Sequence, residues 1–216
     1  MTFFPHPRMI LNKSHEIKMI DTIDEKINLL EKTGLDNLII HPFDNNFSKI
    51  RAKEFVEEIL VKKLKIKEII IGYDHKFGKD REASVEDLKK FGKDYMFTVK
   101  EIPAQEIDSI AISSTKIRNA ILNGEIEKCN KFLGRNFILT GKVVYGDGLG
   151  KKIDFPTANI EIKETYKIIP KNGVYLVKTK INSNTYFGMM NIGIRPTVGG
   201  TNKSLELSLI HIWRCR

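Results

Sequence analysis

A chain of 216 residues, 41% hydrophobic and 29% charged, can form one large or two small domains and bury a core, which excludes a disordered type. Its net charge of +9 and pI of about 9.4 favour anionic partners, either nucleic acid or small phosphorylated ligands. The mean hydropathy is −0.25 and no apolar run is long enough to span a bilayer; no signal-peptide core is recognisable, and Cys129 and Cys215 stand in no metal-like spacing, so a reducing cytoplasm is the expected compartment.

In chain order, Thr2-Phe3-Phe4 reads as the end of a strand running into the turn Pro5-His6-Pro7. Ile20 to Lys32 is amphipathic, with Ile23, Ile27 and Leu30 on one face and Gly34 as a stop. Asn37 to Ile40 predicts a short buried strand. Ser48 is placed to cap a helix whose Ala52, Phe55, Val56, Ile59 and Leu60 recur at helical spacing. Glu68 to Ile71 predicts a strand ending at Gly72. Ser84 with Asp87 predicts a capping box for a helix closed by Gly92, and Tyr95 to Val99 a further strand. Strands alternating with helices predict a mostly parallel sheet covered on both faces, with ligands beyond the carboxyl ends of its strands.

Ser113 to Asn123 and Glu125 to Phe132 predict two short helices, stopped by Gly124 and Gly134. The pattern then changes. Phe137 to Tyr145, Gly173 to Ile181 and Thr185 to Met190 read as strands, with a turn at Asn182-Ser183-Asn184. A boundary near Gly134 therefore divides an α/β domain from an all-β domain, expected to be a small barrel.

The most informative stretch is Gly141 to Asn159. Gly146, Gly148 and Gly150 let the backbone approach a phosphate, and Lys151 and Lys152 neutralise it. In Pro156-Thr157-Ala158-Asn159 a hydroxyl and an amide oxygen two residues apart suit Mg²⁺, which also takes phosphates as ligands. Ser113-Ser114-Thr115-Lys116-Ile117-Arg118 places hydroxyls at a helix start, with Arg118 on the face of Ser114 and Thr115; Ser113 can equally be a plain N-cap. Gly72 to Arg81 follows a strand where an open sheet binds ligand, or is a polar surface loop. His6 reads as part of a rigid turn, and His15 and His41 as structural. Asn191-Ile192-Gly193-Ile194-Arg195-Pro196-Thr197 is a candidate for substrate binding, and Glu206, on the expected last strand, for a general base.

Together these motifs resemble the bifunctional prokaryotic riboflavin kinase/FAD synthetase over essentially all of residues 1–206. Phe3 to Pro7, Gly72 to Gly78 and Ser113 to Arg118 are similar to its FMN adenylyltransferase domain; Gly141 to Asn159, Asn191 to Thr197 and Leu205-Glu206 to its riboflavin kinase domain. The resemblance implies a Rossmann-like nucleotidyltransferase domain over 1–134 and an all-β kinase barrel over 135–206. The kinase half would phosphorylate riboflavin to FMN from ATP. Thr157 and Asn159 would hold Mg²⁺ and nucleotide phosphates, Gly146, Gly148, Gly150, Lys151 and Lys152 would cover the phosphates, and Glu206 would accept the hydroxyl proton. Asn191 and Arg195 would lie near the flavin. The other half would adenylylate FMN to FAD with release of pyrophosphate, and Ser114, Thr115 and Arg118 would grip the triphosphate. Riboflavin, FMN and ATP are the expected partners, with no nucleic acid and no membrane.

Two departures bear on this. The family's first strand, with a loop of two histidines and a glycine, has no counterpart here, and the kinase barrel stops before its closing elements. Leu207 to Arg216 resembles a translated sequencing-library adapter with Trp213 on a TGA codon, so residues 207–216 are expected to be a non-native tail; a genuine terminal strand is the alternative. An enzyme fragment impaired in both reactions is thus the leading expectation. The competing readings are a basic small barrel that binds RNA and a flavin or nucleotide binder without turnover.

Overall fold

The computed structural model describes residues 1–11, 17–104, 106–107, 110–145, 157–182, 184–194 and 203–209. They form two compact units. The first comprises Met1–Ile17 and Ile27–Ile112, the second Lys18–Lys26 and Ser113–Arg216.

In the first unit β1 (Thr2–Phe4) pairs in parallel with β2 (Ile40–Pro42), and α1 (Pro7–Leu11) and α2 (Ile23–Glu31), which belongs to this unit from Ile27 on, lie between them in sequence. β3 (Glu68–Gly72) pairs in parallel with β4 (Thr98–Ile102), and β5 (Glu106–Ile107) forms a small antiparallel pair with β6 (Ile110–Ala111). The predicted single covered sheet is therefore present as separate two-stranded ladders among the described residues. Ile71 faces a core with Val56, Leu60, Val85, Leu88 and Phe97, whereas Ile70 on the other face is exposed. His41 packs against the rings of Phe3 and Phe47, at home in an aromatic cluster.

Two helix boundaries differ from the sequence expectation. Ser48 does not cap the next helix; its hydroxyl donates to the Asn45 carbonyl, and α3 (Ala52–Glu54) starts later, its Ala52 N–H held by the Glu82 carboxylate at 2.7 Å. α3 runs on as a π-helix through Phe55–Lys63. The capping box of α4 (Val85–Tyr95) forms between Ser84 and Asp87 as predicted, but Gly92 does not close the helix. Met96 does, in the left-handed region, and β4 consequently begins at Thr98 rather than Tyr95. Gly92 serves a different purpose: a Cβ there would stand 2.7 Å from the Phe97 carbonyl oxygen, so its bare backbone lets the chain fold back.

The second unit carries α5 (Ser114–Asn123) and α6 (Ile126–Leu133), with left-handed Gly124 and Gly134 as C-caps. Its sheet has five strands in the order β7 (Lys142–Val144), β8 (Ala158–Glu161), β11 (Lys203–Leu209), β10 (Asn184–Ile194), β9 (Gly173–Ile181), antiparallel throughout. Met190, Ile192 and Leu205 are buried on one face, with Ile160, Tyr175, Val177 and Leu207 packed on them. β7 is shorter than expected because the residues before it bond elsewhere: Phe137 N–H donates to the Asn130 side chain and Thr140 N–H to Glu25. β11 runs through Leu207, which pairs with Met190 and Ala158. Cys129 is buried beneath α6, and burial pushes its thiol up to about 11, so it is inert as a nucleophile at neutral pH.

Candidate functional site

The sheet of the second unit brings together residues from three separate sequence motifs. Asn159 on β8 stands opposite Glu206 on β11, and Glu206 stands opposite Asn191 on β10. Directly opposed residues of antiparallel strands project from the same face, with Cα atoms about 5 Å apart. The three polar side chains thus form one row across the middle of the sheet, spanning roughly 10 Å. The strand neighbours on the opposite face fix which way the row points. Leu205 and Leu207 flank Glu206, Met190 and Ile192 flank Asn191, and Ile160 follows Asn159; all of these lie in the core. Thr157 stands just ahead of β8, two residues from Asn159, the spacing that puts side chains on one side of an extended chain.

The sequence between these strands carries the remaining candidate residues. β7 and β8 meet at Val144 opposite Asn159, and Gly146, Gly148, Gly150, Lys151 and Lys152 lie between the two strands in sequence. β10 and β11 meet at Ile194 opposite Lys203, and Arg195 is the next residue in the sequence, four positions after Asn191. Those glycines, both lysines and Arg195 lie outside the described residues. Next to the row the same face turns apolar: Val174 opposes Asn191, and Leu176 opposes Met189. All three of these apolar side chains are at least half exposed. Sequence reading missed them, although the unbroken apolar run Val174-Tyr175-Leu176-Val177 signals that both faces of β9 carry hydrophobic groups.

As a chemical arrangement the row offers a carboxylate between two amides, beside an apolar surface. Thr157 and Asn159 supply two neutral oxygen donors. Among the described residues no group of three His, Cys, Asp or Glu is placed to hold a metal ion. A donor set of that kind suits a cation such as Mg²⁺, bound by one or two side chains and completed by substrate phosphates and water. The second unit also encloses an open cavity of about 670 Å³, lined mainly by core-facing side chains such as Phe137, Leu139, Ile160 and Tyr175. None of Thr157, Asn159, Asn191 and Glu206 lines it.

Ser114, Thr115 and Arg118 sit on α5 rather than on the sheet. The Ser113 hydroxyl caps the helix, accepting from Lys116 N–H at 3.3 Å, so its cap reading holds. Ser114 and Thr115 are exposed at the first turn, where amides and the helix dipole favour an anion. Arg118 is half-buried one turn on, and its Nε donates to the Lys18 carbonyl at 2.8 Å. In the first unit, Gly72 to Arg81 folds as a tight loop after β3, with Lys79 N–H donating to the Ile50 carbonyl at 2.8 Å. A groove of about 580 Å³ in that unit is lined by Glu54, Glu57, Glu58, Glu82 and Asp87 and includes none of the candidate residues. Its carboxylates disfavour a polyphosphate.

A family model described as FAD synthetase matches residues 1–116, and one described as riboflavin kinase matches residues 133–214. The chain is similar to proteins named bifunctional riboflavin kinase/FMN adenylyltransferase. The one from Listeria monocytogenes is 38% identical over 198 residues, covering 91% of this chain and 62% of that protein. The one from Buchnera aphidicola subsp. Schizaphis graminum is 38% identical over 213 residues, covering 98% and 67%, and the one from Escherichia coli K12 is 32% identical over the same coverage. The chain thus spans 62–67% of the length of these relatives. A solved structure titled as a macrolide-efflux protein from Streptococcus pneumoniae superposes with a TM-score of 0.86 at 30% identity, over 96% of this chain and 67% of that one. Among the described residues no helix is long and apolar enough to cross a membrane.

Proposed function

Since the chain belongs to the bifunctional riboflavin kinase/FMN adenylyltransferase family, we propose that it represents an enzyme of FMN and FAD synthesis, with the kinase chemistry on the polar row of the second unit. In this reading Rossmann-like adenylyltransferase sequence occupies 1–134 and a kinase barrel 135–206. The observation that supports it is the register: three motifs far apart in sequence converge on Asn159, Glu206 and Asn191.

The kinase step follows from that placement. Glu206 accepts the proton of the riboflavin 5′-hydroxyl as its oxygen attacks the γ-phosphorus of ATP; the new O–P bond forms while the bond to the β-phosphate oxygen breaks, and ADP leaves. Thr157 and Asn159 would hold Mg²⁺ and the phosphates, and the metal would supply charge neutralisation on the transferred group. Gly146, Gly148, Gly150, Lys151 and Lys152 would cover the nucleotide phosphates, and Asn191 and Arg195 would orient the flavin. Val174, Leu176 and Met189 offer an apolar surface beside the base. In the second reaction FMN attacks the α-phosphorus of ATP and pyrophosphate leaves, with Ser114, Thr115 and the α5 amides gripping the triphosphate and Arg118 adding charge.

The decisive experiment replaces Thr157 by Ala and follows Mg²⁺- and ATP-dependent formation of FMN. Loss of FMN formation by about a hundredfold or more is expected when a metal-phosphate contact made in the transition state is removed. Wild-type turnover in T157A would remove the metal site from this reading, and salt-sensitive RNA binding without flavin turnover would favour the basic-barrel alternative.

A further inference from the structure

The second unit contains a segment that its family boundaries do not give it. Residues 18–26 fall inside the match to the FAD synthetase model, yet they pack with residues 113–216. The contacts are specific. Met19 forms a parallel bridge with Lys167, its N–H donating to the Tyr166 carbonyl at 2.6 Å while Ile168 N–H donates to the Met19 carbonyl at 2.9 Å. Lys18 Nζ donates to the Thr165 carbonyl at 2.8 Å. Arg135 reaches both oxygens of Asp21, at 2.8 and 2.6 Å.

At the centre is a buried ion pair. Lys167 and Glu25 side chains are 0% and 2% exposed, with Nζ 2.5 Å from Glu25 Oε2. The same Glu25 oxygen accepts Thr22 N–H at 2.9 Å, completing a capping box with Thr22, and the other accepts Thr140 N–H at 2.9 Å. Lys167 also donates to the Ile20 carbonyl at 2.6 Å and lies 4.6 Å from the centre of the Phe137 ring. Burial pulls the Lys167 ammonium below the ordinary lysine range, and Glu25 opposes that pull. One carboxylate therefore joins the start of α2, Thr140 two residues before β7 and the segment leading into β9.

We propose that residues 18–26 are an inserted structural element of the β-sheet unit, locked there by the Glu25–Lys167 pair, so that this unit is built from two separated pieces of sequence. The lock extends to Arg118, because that guanidinium is held by the carbonyl of Lys18. This inference does not depend on which reaction the sheet carries out, and its failure would leave the kinase reading intact.

The test is hydrogen–deuterium exchange on the whole chain, resolved by residue. In the wild-type protein, the amides of Met19, Thr22, Thr140 and Ile168 should open together, with a common protection and a common urea dependence. Replacing Lys167 by Met leaves Glu25 buried without its cation, and should speed exchange at all four amides by on the order of a hundredfold. Ile70 and Leu88, in β3 and α4, should keep their rates. The double replacement E25L/K167M removes both charges and should recover most of the protection. The proposal is overturned if Met19 and Thr22 exchange with Ile70 and Leu88 instead of Ile168, or if K167M leaves Ile168 and Thr140 unchanged. Should K167M fail to fold, the wild-type pattern and the double replacement decide the matter.

Discussion

Replacing Glu206 by Gln isolates the carboxylate from everything else at the candidate kinase site. The side chain keeps its length and can still accept a hydrogen bond, but it no longer takes a proton at neutral pH. Glu206 is half-buried in the middle of β11, and the flanking Leu205 and Leu207 hold the strand through the core. Folding stability should therefore move by no more than about 1 kcal/mol. The effect on turnover is much larger if this group is the base. Losing a positioned general base slows proton transfer about 10²–10⁴-fold, which is roughly 3–5 kcal/mol on the barrier. Riboflavin and ATP should bind within about threefold of wild type, since the shape and the neighbouring amides are retained, so the loss belongs in kcat. The assay is FMN formed from riboflavin and Mg²⁺–ATP, quantified by fluorescence after chromatography, with urea unfolding in parallel. A variant that keeps more than half of the wild-type kcat would show that Glu206 is a solvated strand carboxylate. Loss of activity accompanied by an equal loss of stability would show that it is structural.

Two further predictions concern stability. Gly92→Ala sets helix propensity, which favours alanine by about 1 kcal/mol, against a Cβ placed 2.7 Å from the fixed backbone oxygen of Phe97. Overpacking of that kind costs about 1–3 kcal/mol, so urea denaturation should show net destabilisation, and a more stable variant would contradict the close approach. Asp87 has its carboxyl held below the ordinary range of 3.8, first by the Ser84 N–H, then by the Ser84 hydroxyl and Lys90. A depressed carboxylate contributes stability above its unfolded pKa and loses it as pH falls through the folded value, so wild type should exceed Asp87→Asn by a constant margin well above pH 3.8 and lose that margin as the pH falls below it. A margin that survives into stronger acid would mean that the capping charge plays no part.

What could be read from the sequence was mostly what local chemistry decides. The N-cap at Ser113, the stops at Gly124 and Gly134, the capping box at Ser84 and the strand Gly173–Ile181 all depend on residues within a few positions of one another. Misplaced boundaries arose where a distant partner intervened. Ala52 N–H is taken by Glu82, so the helix starts beyond the hydroxyl of Ser48. Thr140 N–H is taken by Glu25, so the apolar run before β7 is not a ladder strand. The Thr22-Ile-Asp-Glu25 pattern is visible as a capping box, but nothing local shows that the same carboxylate meets a lysine 142 residues away.

The candidate site has the same division. Each motif was legible by itself, because the residue types that bind phosphate, metal or proton are few. Their convergence was not, since the register of β8, β11 and β10 is set between strands. Here the apolar residues supply the answer. Leu205 and Leu207, Met190 and Ile192, and Ile160 alternate with Glu206, Asn191 and Asn159 in the same phase on all three strands. Slipping β11 by one residue would turn both leucines outward and drive Glu206 into the core, where an unpaired carboxylate is strongly disfavoured. The geometry of the polar row is thus held from behind, by burial of its neighbours. A substitution such as Leu205→Ser would disturb Glu206 without touching it.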